Sequence, residues 1–278
     1  MWEEMWQYLQ SWFDYPNSQW ETVLIGIGLA LGFTAFWLAG HWSSLFRNNW
    51  LWGMAVFGAL FTVLAVVFVQ IPLQIWTDEA SKHFWDAGTM FDWWLLISIP
   101  QLLVRGLVQE GAKMVPMVFW WWRNGRDITP KAGLMIGAVV GAGFGLFDAL
   151  HLHLQVFSAG WTWDVYQTEG FTGIAVFWDA FFNLGYSIAI SALIGYGLAK
   201  GKGWQFYLIG VGVHILYNYR RVLLQMGHIS ALWSEIYAGL FTIALTAIVI
   251  IWLSRISADA DVKAEEEVAG DKPDEISD

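Results

Sequence analysis

A series of long apolar runs dominates this chain of 278 residues and limits what it can fold into. A helix needs about 20 predominantly apolar residues to cross the hydrocarbon core of a bilayer. A water-soluble domain would interrupt such runs with polar residues on one face. The runs therefore predict an all-α fold, a polytopic membrane helix bundle with about seven transmembrane helices. We place the spans at about 22–40, 51–73, 93–122, 131–156, 174–199, 203–222 and 231–254.

Composition supports this class and excludes others. Hydrophobic residues make up 57% of the chain and charged residues only 14%. The formal net charge of -10 argues against a nucleic-acid partner, because phosphate backbones attract basic surfaces. The chain contains no cysteine, which excludes disulfides, thiolate catalysis and cysteine-bound zinc.

Three segments follow from these patterns. Residues 1–14 read as an amphipathic helix that lies on the membrane interface, with Trp2, Trp6 and Phe13 toward lipid. Residues 22–256 form the transmembrane helix bundle. Residues 257–278 are acidic and poor in apolar residues, which predicts a disordered, solvated tail.

Lysine and arginine concentrate in alternate loops, which predicts the orientation of the bundle. The basic loops are 41–50, 123–131 and 200–202. The loops between them, 74–92 and 157–173, hold Lys82 as their only lysine or arginine, against six acidic residues. This pattern places the N-terminus outside and the acidic tail in the cytoplasm. Arg220 and Arg221 are the inconsistency, because they fall near the outer end of their span.

Several spans carry polar residues at membrane depth. The stretch "LVQEGAKMVPMVFWWWR" contains Gln109, Glu110 and Lys113, and later spans contain further polar residues, namely Asp148, Asp179, Asn183, His214 and Asn218. A charged side chain at the bilayer centre costs at least about 2.5 kcal/mol. We therefore expect these side chains to face inward and to meet one another or line a hydrated cavity.

Each of these residues also has a purely structural interpretation. Glu110 and Lys113 are three residues apart and can neutralise each other on one helix face. A single histidine such as His214 is often a hydrogen-bonded packing residue, and Asp179 lies just inside its span. The glycines at 137, 141 and 145 have the spacing of a close helix–helix contact and indicate packing rather than chemistry.

Three polar elements occur in order in the third, fourth and sixth spans, over residues 93–222. They are Glu110 and Lys113 in "QEGAK", Phe144 and Asp148 in "GAGFGLFD", and His214 and Asn218 in "HILYN". Together they resemble the PrsW family of intramembrane proteases, which is related to the CAAX prenyl protease group. The family patterns are Glu-Glu-x-x-Lys, a glycine-rich span that ends in Phe-x-x-x-Glu, and His-x-x-x-Asn/Asp.

The resemblance implies hydrolysis of peptide bonds in membrane-anchored substrates by a carboxylate-activated water. If Gln109 occupies the base position of the family, Glu110 or Asp148 must take over, because glutamine cannot accept a proton at useful pH. We choose Glu110 as the base, with Lys113 to hold it in place and Asp148 as a second carboxylate or metal ligand. The resemblance assigns stabilisation of the oxyanion to a histidine and an asparagine, here His214 and Asn218. If the site holds a divalent metal ion such as zinc, the candidate ligands are Glu110, Asp148 and His214. It also implies a bacterial inner (plasma) membrane protein.

The chain departs from the family pattern at three positions. Gln109 replaces the first glutamate, Asp148 is shorter than the usual glutamate, and Ser187 stands where the family has a histidine. These departures favour an alternative, a catalytically inactive relative that serves as an integral membrane subunit or scaffold and contacts partners in a larger membrane complex. A transporter is a third interpretation, which the lack of a long internal repeat disfavours.

The predicted orientation can be tested with reporter fusions. A fluorescent protein that folds only in the cytoplasm, fused after residue 254, should fluoresce, because the basic loops are expected on the cytoplasmic side. The same reporter inserted in loop 157–173 should stay dark. The reverse pattern would contradict the orientation.

Overall fold

A computed structural model of the chain describes residues 14–16, 19–39 and 48–270, together with residues 3, 6, 7 and 10, and it describes side chains as far as Ile256. Every regular element in this part of the chain is helical. The helices are α1 (Trp20–Leu38), α2 (Trp50–Ala65), a π-helical turn (Val66–Gln70), α3 (Ile71–Phe84), α4 (Ala87–Asp92), α5 (Trp94–Arg123), α6 (Pro130–Ser158), α7 (Trp163–Glu169), a 3-10 turn (Gly170–Ile174), α8 (Ala175–Ala199), α9 (Gly203–Gln225) and α10 (Ala231–Gly270).

The all-helical prediction is confirmed, and each predicted span coincides with a helix. Five helical segments are long and apolar enough to cross a membrane: Trp20–Leu38, Trp50–Phe84, Pro130–Ser158, Trp163–Ala199 and Ala231–Ile256. Helices α5 and α9 are long but carry more polar residues, and they are not among the five. The fold is compatible with an integral membrane protein, and the count of seven spans stays a prediction.

Helices α6 and α8 form the centre of the bundle and pack along most of their length. A Cβ atom at Gly137 would overlap the carbonyl oxygen of Ser191, and one at Gly141 would overlap that of Ser187. Glycine is therefore required at these positions for the two backbones to touch, as small residues allow in membrane helix pairs. Gly143 points to the other side of α6, against the backbone of Ala55 in α2. The glycine run is a packing surface, as predicted.

The outside of the bundle is apolar and its interior holds charge. Peripheral helices expose large apolar side chains such as Leu31, Leu60 and Leu240. In contrast, Glu110 and Lys113 have no exposed surface. This arrangement is the reverse of a water-soluble protein and suits a hydrocarbon solvent, in which exposed apolar surface has no cost.

Helix α5 is continuous through both of its prolines, Pro100 and Pro116. The span predicted at 93–122 is one helix of 30 residues, and the prolines do not divide it into a re-entrant segment and a separate span. A proline removes only its own N–H donor, and packing against neighbouring helices can maintain the helix on either side.

The two terminal segments that we predicted are described only in part, and the C-terminal one begins as a helix. Helix α10 continues to Gly270 and enters the segment 257–278, for which we predicted disorder. Alanine, glutamate and lysine in "DADVKAEEEVAG" are strong helix formers, which accounts for the difference. Residues 271–278, and most of the predicted interfacial helix at 1–14, lie outside the described residues.

Substitution of a contact glycine tests the α6–α8 interface. Gly137→Ala should lower the free energy of unfolding by about 1–3 kcal/mol, because the new methyl group forces the helices apart. Gly212→Ala is the matched control, since nothing lies within 4 Å of a Cβ there. It should be neutral or slightly stabilising, because alanine has a higher helix propensity than glycine. Thermal unfolding in detergent, followed by tryptophan fluorescence, measures both, and equal effects would contradict the interface.

Candidate active site

The candidate site begins with an ion pair on α5. The Nζ atom of Lys113 lies 2.8 Å from Oε1 of Glu110, and both side chains are fully buried. The two residues are three positions apart and so share one helix face. The sequence-based expectation that these charges face inward and pair with each other is therefore met in the structure.

Helix α9 brings His214 to the same carboxylate oxygen. Nδ1 of His214 lies 2.8 Å from Oε1 of Glu110, although the residues are 104 positions apart in sequence. Gly106 permits this approach, because a Cβ atom there would be 3.3 Å from the backbone oxygen of Val211 and 3.5 Å from Cβ of His214. A neutral His214 therefore donates from Nδ1 to the carboxylate, which leaves a lone pair on Nε2.

Aromatic rings from α6 and α8 enclose the ammonium group. Nζ of Lys113 is 5.2 Å from the ring centroid of Phe144 and 6.0 Å from that of Tyr186. Tyr186 also lies edge-on to His214, with centroids 6.1 Å apart, and stacks on Tyr217 at 4.1 Å. The negative ring faces add to the stabilisation of a buried cation. Sequence analysis missed both tyrosines, although Tyr217 follows His214 by three residues on the same helix face.

Four polar atoms around this cluster have no hydrogen-bond partner. They are Oε2 of Glu110, Nε2 of His214 and the hydroxyl oxygens of Tyr186 and Tyr217. Buried polar atoms in native proteins are nearly always paired with protein or water, because an unpaired group costs about 1–3 kcal/mol. Such a concentration of unpaired atoms marks a place where water or a polar ligand can bind.

Gln109 is separated from the Glu110 cluster by its own hydrogen bonds. Its Nε2 donates to Oε1 of Gln70 at 3.0 Å, and Nε2 of Gln70 donates to Oε1 of Gln74 at 3.0 Å. Gln74 and Gln101 each donate to the other's backbone oxygen, at 3.4 and 3.0 Å. The residue in place of the family's first glutamate is thus part of a glutamine ladder that joins α5 to the π-helical turn and α3.

Asp148 is hydrogen-bonded to a different residue. Its Oδ2 accepts a hydrogen bond of 2.7 Å from Nδ2 of Asn183 on α8. Among the residues with described side chains, no group of three or more His, Cys, Asp or Glu side chains is placed to hold a metal ion. Glu110, Asp148 and His214 therefore do not form the three-ligand set that the resemblance implied.

Asn218 supports α9 rather than facing the unpaired atoms. Its Nδ2 donates to the backbone oxygen of His214 at 3.0 Å, and its Oδ1 accepts from Nη1 of Arg221 at 3.2 Å. Both ends of the amide are used in these bonds. Asn218 positions the turn of helix that carries His214.

A second buried ionic network lies beyond Asn218 and was not predicted. Asp179 pairs with Arg220 and, at 2.8 Å, with Arg221, while Arg220 also bonds to Glu235 at 3.2 Å. Ser234 accepts a further bond of 2.9 Å from Arg220. These contacts account for the one inconsistency in the loop charges, because the two arginines neutralise buried carboxylates. Basic residues beyond the middle of an apolar span, with an acidic residue in the next span, are the sequence signal for such a network.

Comparisons with known proteins found no match, whether with family models, with curated proteins or with solved structures. The PrsW resemblance therefore rests on the three sequence elements alone.

Removal of Lys113 tests the ion pair. Lys113→Met should lower the free energy of unfolding by about 3–5 kcal/mol, because it leaves the Glu110 carboxylate buried without a counter-charge. The double variant Lys113→Met/Glu110→Gln should recover part of this loss. Unfolding in detergent provides both values as a double-mutant cycle. A single variant within about 0.5 kcal/mol of the wild type would contradict a buried ion pair.

Proposed function

We propose that this protein is an intramembrane peptidase of the PrsW type, which hydrolyses a peptide bond in membrane-anchored protein substrates. The observation that carries the proposal is the Glu110–His214 contact. The two side chains are hydrogen-bonded through Nδ1 of His214 and Oε1 of Glu110. Their second polar atoms, Nε2 and Oε2, are buried and have no hydrogen-bond partner. A carboxylate and an imidazole with free lone pairs are the groups that general-base catalysis requires.

In the proposed reaction, Oε2 of Glu110 accepts a proton from a water molecule. The water oxygen then bonds to the carbonyl carbon of the substrate, and the carbonyl π electrons move to its oxygen. When this intermediate collapses, the C–N bond breaks and the proton held by Glu110 passes to the departing amine. Lys113 keeps the carboxylate in place through Oε1, and the bond from His214 has the same effect.

The role of the other candidate residues changes with their contacts. Asp148 is bonded to Asn183, and Asn218 is bonded to the backbone of His214 and to Arg221, so we assign both to positioning. The described side chains do not form a three-ligand zinc site, and the proposed reaction does not use a metal ion. Gln109 takes no part in the reaction, because its amide is committed to Gln70.

The proposal includes a location. Long apolar helices with lipid-compatible surfaces are consistent with an integral protein of the bacterial inner membrane. The loop charges support an outside N-terminus and a cytoplasmic tail. The substrate class is the one that the PrsW resemblance implies, and a membrane-anchored substrate would enter the buried site from the bilayer.

The proposal is tested with purified protein in liposomes and a set of tagged single-span membrane proteins. Glu110→Gln and His214→Ala should each lower cleavage by at least about 100-fold, because each removes one of the two groups, carboxylate or imidazole, that the general-base step uses. Mass spectrometry of new peptide ends measures cleavage.

Glu79→Gln is the matched control, because it makes the same chemical change at an exposed carboxylate on α3. It should cleave like the wild type, and thermal unfolding of all three variants should show that each is folded. Unchanged cleavage in a folded Glu110→Gln variant would reject the assignment.

A non-catalytic membrane subunit or scaffold is the second candidate, and one observation favours it. Glu110 and Lys113 have no exposed surface, and three apolar grooves on the described part of the bundle, of about 410, 550 and 470 Å³, are not lined by Glu110 or His214. A scaffold would co-purify with partner proteins and would cleave none of the tagged substrates. An enzyme needs the helices to separate before substrate can reach the site.

A further inference from the structure

Amide hydrolysis requires a hydrogen-bond donor for the oxygen that becomes negative. The unpaired atoms of the Glu110–His214 pair are acceptors when His214 is neutral, so they can bind the hydrogens of water but cannot stabilise an oxyanion. Asn218, one residue that the family resemblance assigned to this role, is bonded at both ends of its amide. Among the four unpaired atoms of the site, the hydroxyls of Tyr186 and Tyr217 are therefore the ones that can donate.

Tyr186 has the chemistry and the position of such a donor. It is 1% exposed, and its hydroxyl has no hydrogen-bond partner. A phenolic hydroxyl can donate one hydrogen bond and usually finds a partner when buried. Its ring adjoins two members of the site, with Lys113 Nζ 6.0 Å from its centroid and His214 at a centroid separation of 6.1 Å.

The ring of Tyr186 is held in one orientation. Tyr217 stacks on it with an interplanar angle of 6°, and α8 is anchored by its close contact with α6. A donor that is fixed before the reaction is more effective than one that must reorganise during it. Tyr217 is less suited to the role, because its own ring faces the second ionic network, 5.0 Å from the guanidinium of Arg220.

We infer that the Tyr186 hydroxyl is a catalytic donor that hydrogen-bonds to the carbonyl oxygen of the scissile amide. This inference rests on the proposed peptidase function and adds a residue that the three sequence elements do not contain. As water adds to the carbonyl carbon, the electron pair moves to the carbonyl oxygen, and Tyr186 donates to that oxygen while keeping its proton. The bond strengthens as charge develops and weakens when the carbonyl reforms and the amine leaves.

Tyr186→Phe removes the hydroxyl and preserves the ring stack. In a substrate-free protein this variant should melt at the same temperature as the wild type or higher, because the lost hydroxyl had no partner in the fold. Tyr219→Phe is the matched control with the opposite expectation. The Tyr219 hydroxyl donates to the backbone oxygen of Leu95 at 2.8 Å, so its loss should lower the melting temperature.

The catalytic arm uses a tagged single-span protein that the wild type cleaves in liposomes. Tyr186→Phe should lower kcat by about 100- to 1000-fold, the range for loss of one oxyanion donor. KM should stay within about twofold, because the bond forms mainly in the transition state. Tyr219→Phe should keep its kcat at the temperature of the assay.

The outcomes separate this inference from the proposed function. A fall in the melting temperature of Tyr186→Phe like that of Tyr219→Phe would show a structural partner and overturn the donor role. Full kcat in Tyr186→Phe, beside an inactive Glu110→Gln variant, would also overturn it and leave the peptidase intact. If the wild type cleaves none of the tagged proteins, the peptidase function fails first and the role of Tyr186 falls with it.

Discussion

A carboxylate that is fully buried among apolar helices must be neutralised and hydrogen-bonded, and this requirement organises the centre of the protein. Glu110 meets it through Lys113 on its own helix and His214 on α9, both bonded to the same oxygen. Removal of Lys113 would leave the carboxylate charge in a medium that cannot solvate it, and removal of His214 would take away a hydrogen bond. Because Oε1 accepts both bonds, Oε2 is left over, and the chemistry that we propose begins at that atom.

The small residues of the bundle make this arrangement possible. The α6–α8 contact requires glycine wherever one backbone touches the other, and Gly106 has the same effect where α9 approaches α5. Close backbone contact holds Phe144 and Tyr186 against the ammonium of Lys113. The glycine-rich pattern therefore serves the site indirectly, by fixing the distances between the helices that carry its side chains.

Two buried polar clusters adjoin each other along α9, and they differ in the chemistry of their groups. In the second ionic network, Arg220 and Arg221 pair with Asp179, and Arg220 also bonds to Glu235. In the Glu110 cluster, polar atoms of Glu110, His214 and Tyr186 have no hydrogen-bond partner. The second ionic network also has unpaired atoms, Nε of Arg220 and Oε2 of Glu235. Of the two clusters, the Glu110 cluster is the one that joins a carboxylate to an imidazole, the groups that general-base catalysis uses. The stack of Tyr186 on Tyr217 lies between the two.

The sequence by itself determined the helical architecture and that Glu110, Lys113 and His214 turn inward, because hydrocarbon tolerates neither unpaired backbone nor exposed charge. It also indicated the pairing of Glu110 with Lys113, since side chains three positions apart on a helix lie on the same face. Only the tertiary structure decided which polar side chains bond to one another across helices. Asp148 bonds to Asn183, Gln109 bonds to Gln70, and Arg220 reaches Glu235. Such contacts depend on the rotation and approach of each helix, which side-chain packing sets and local spacing does not encode. The same holds for Tyr186, whose part in the site follows from the rings and charges of two other helices, α5 and α9.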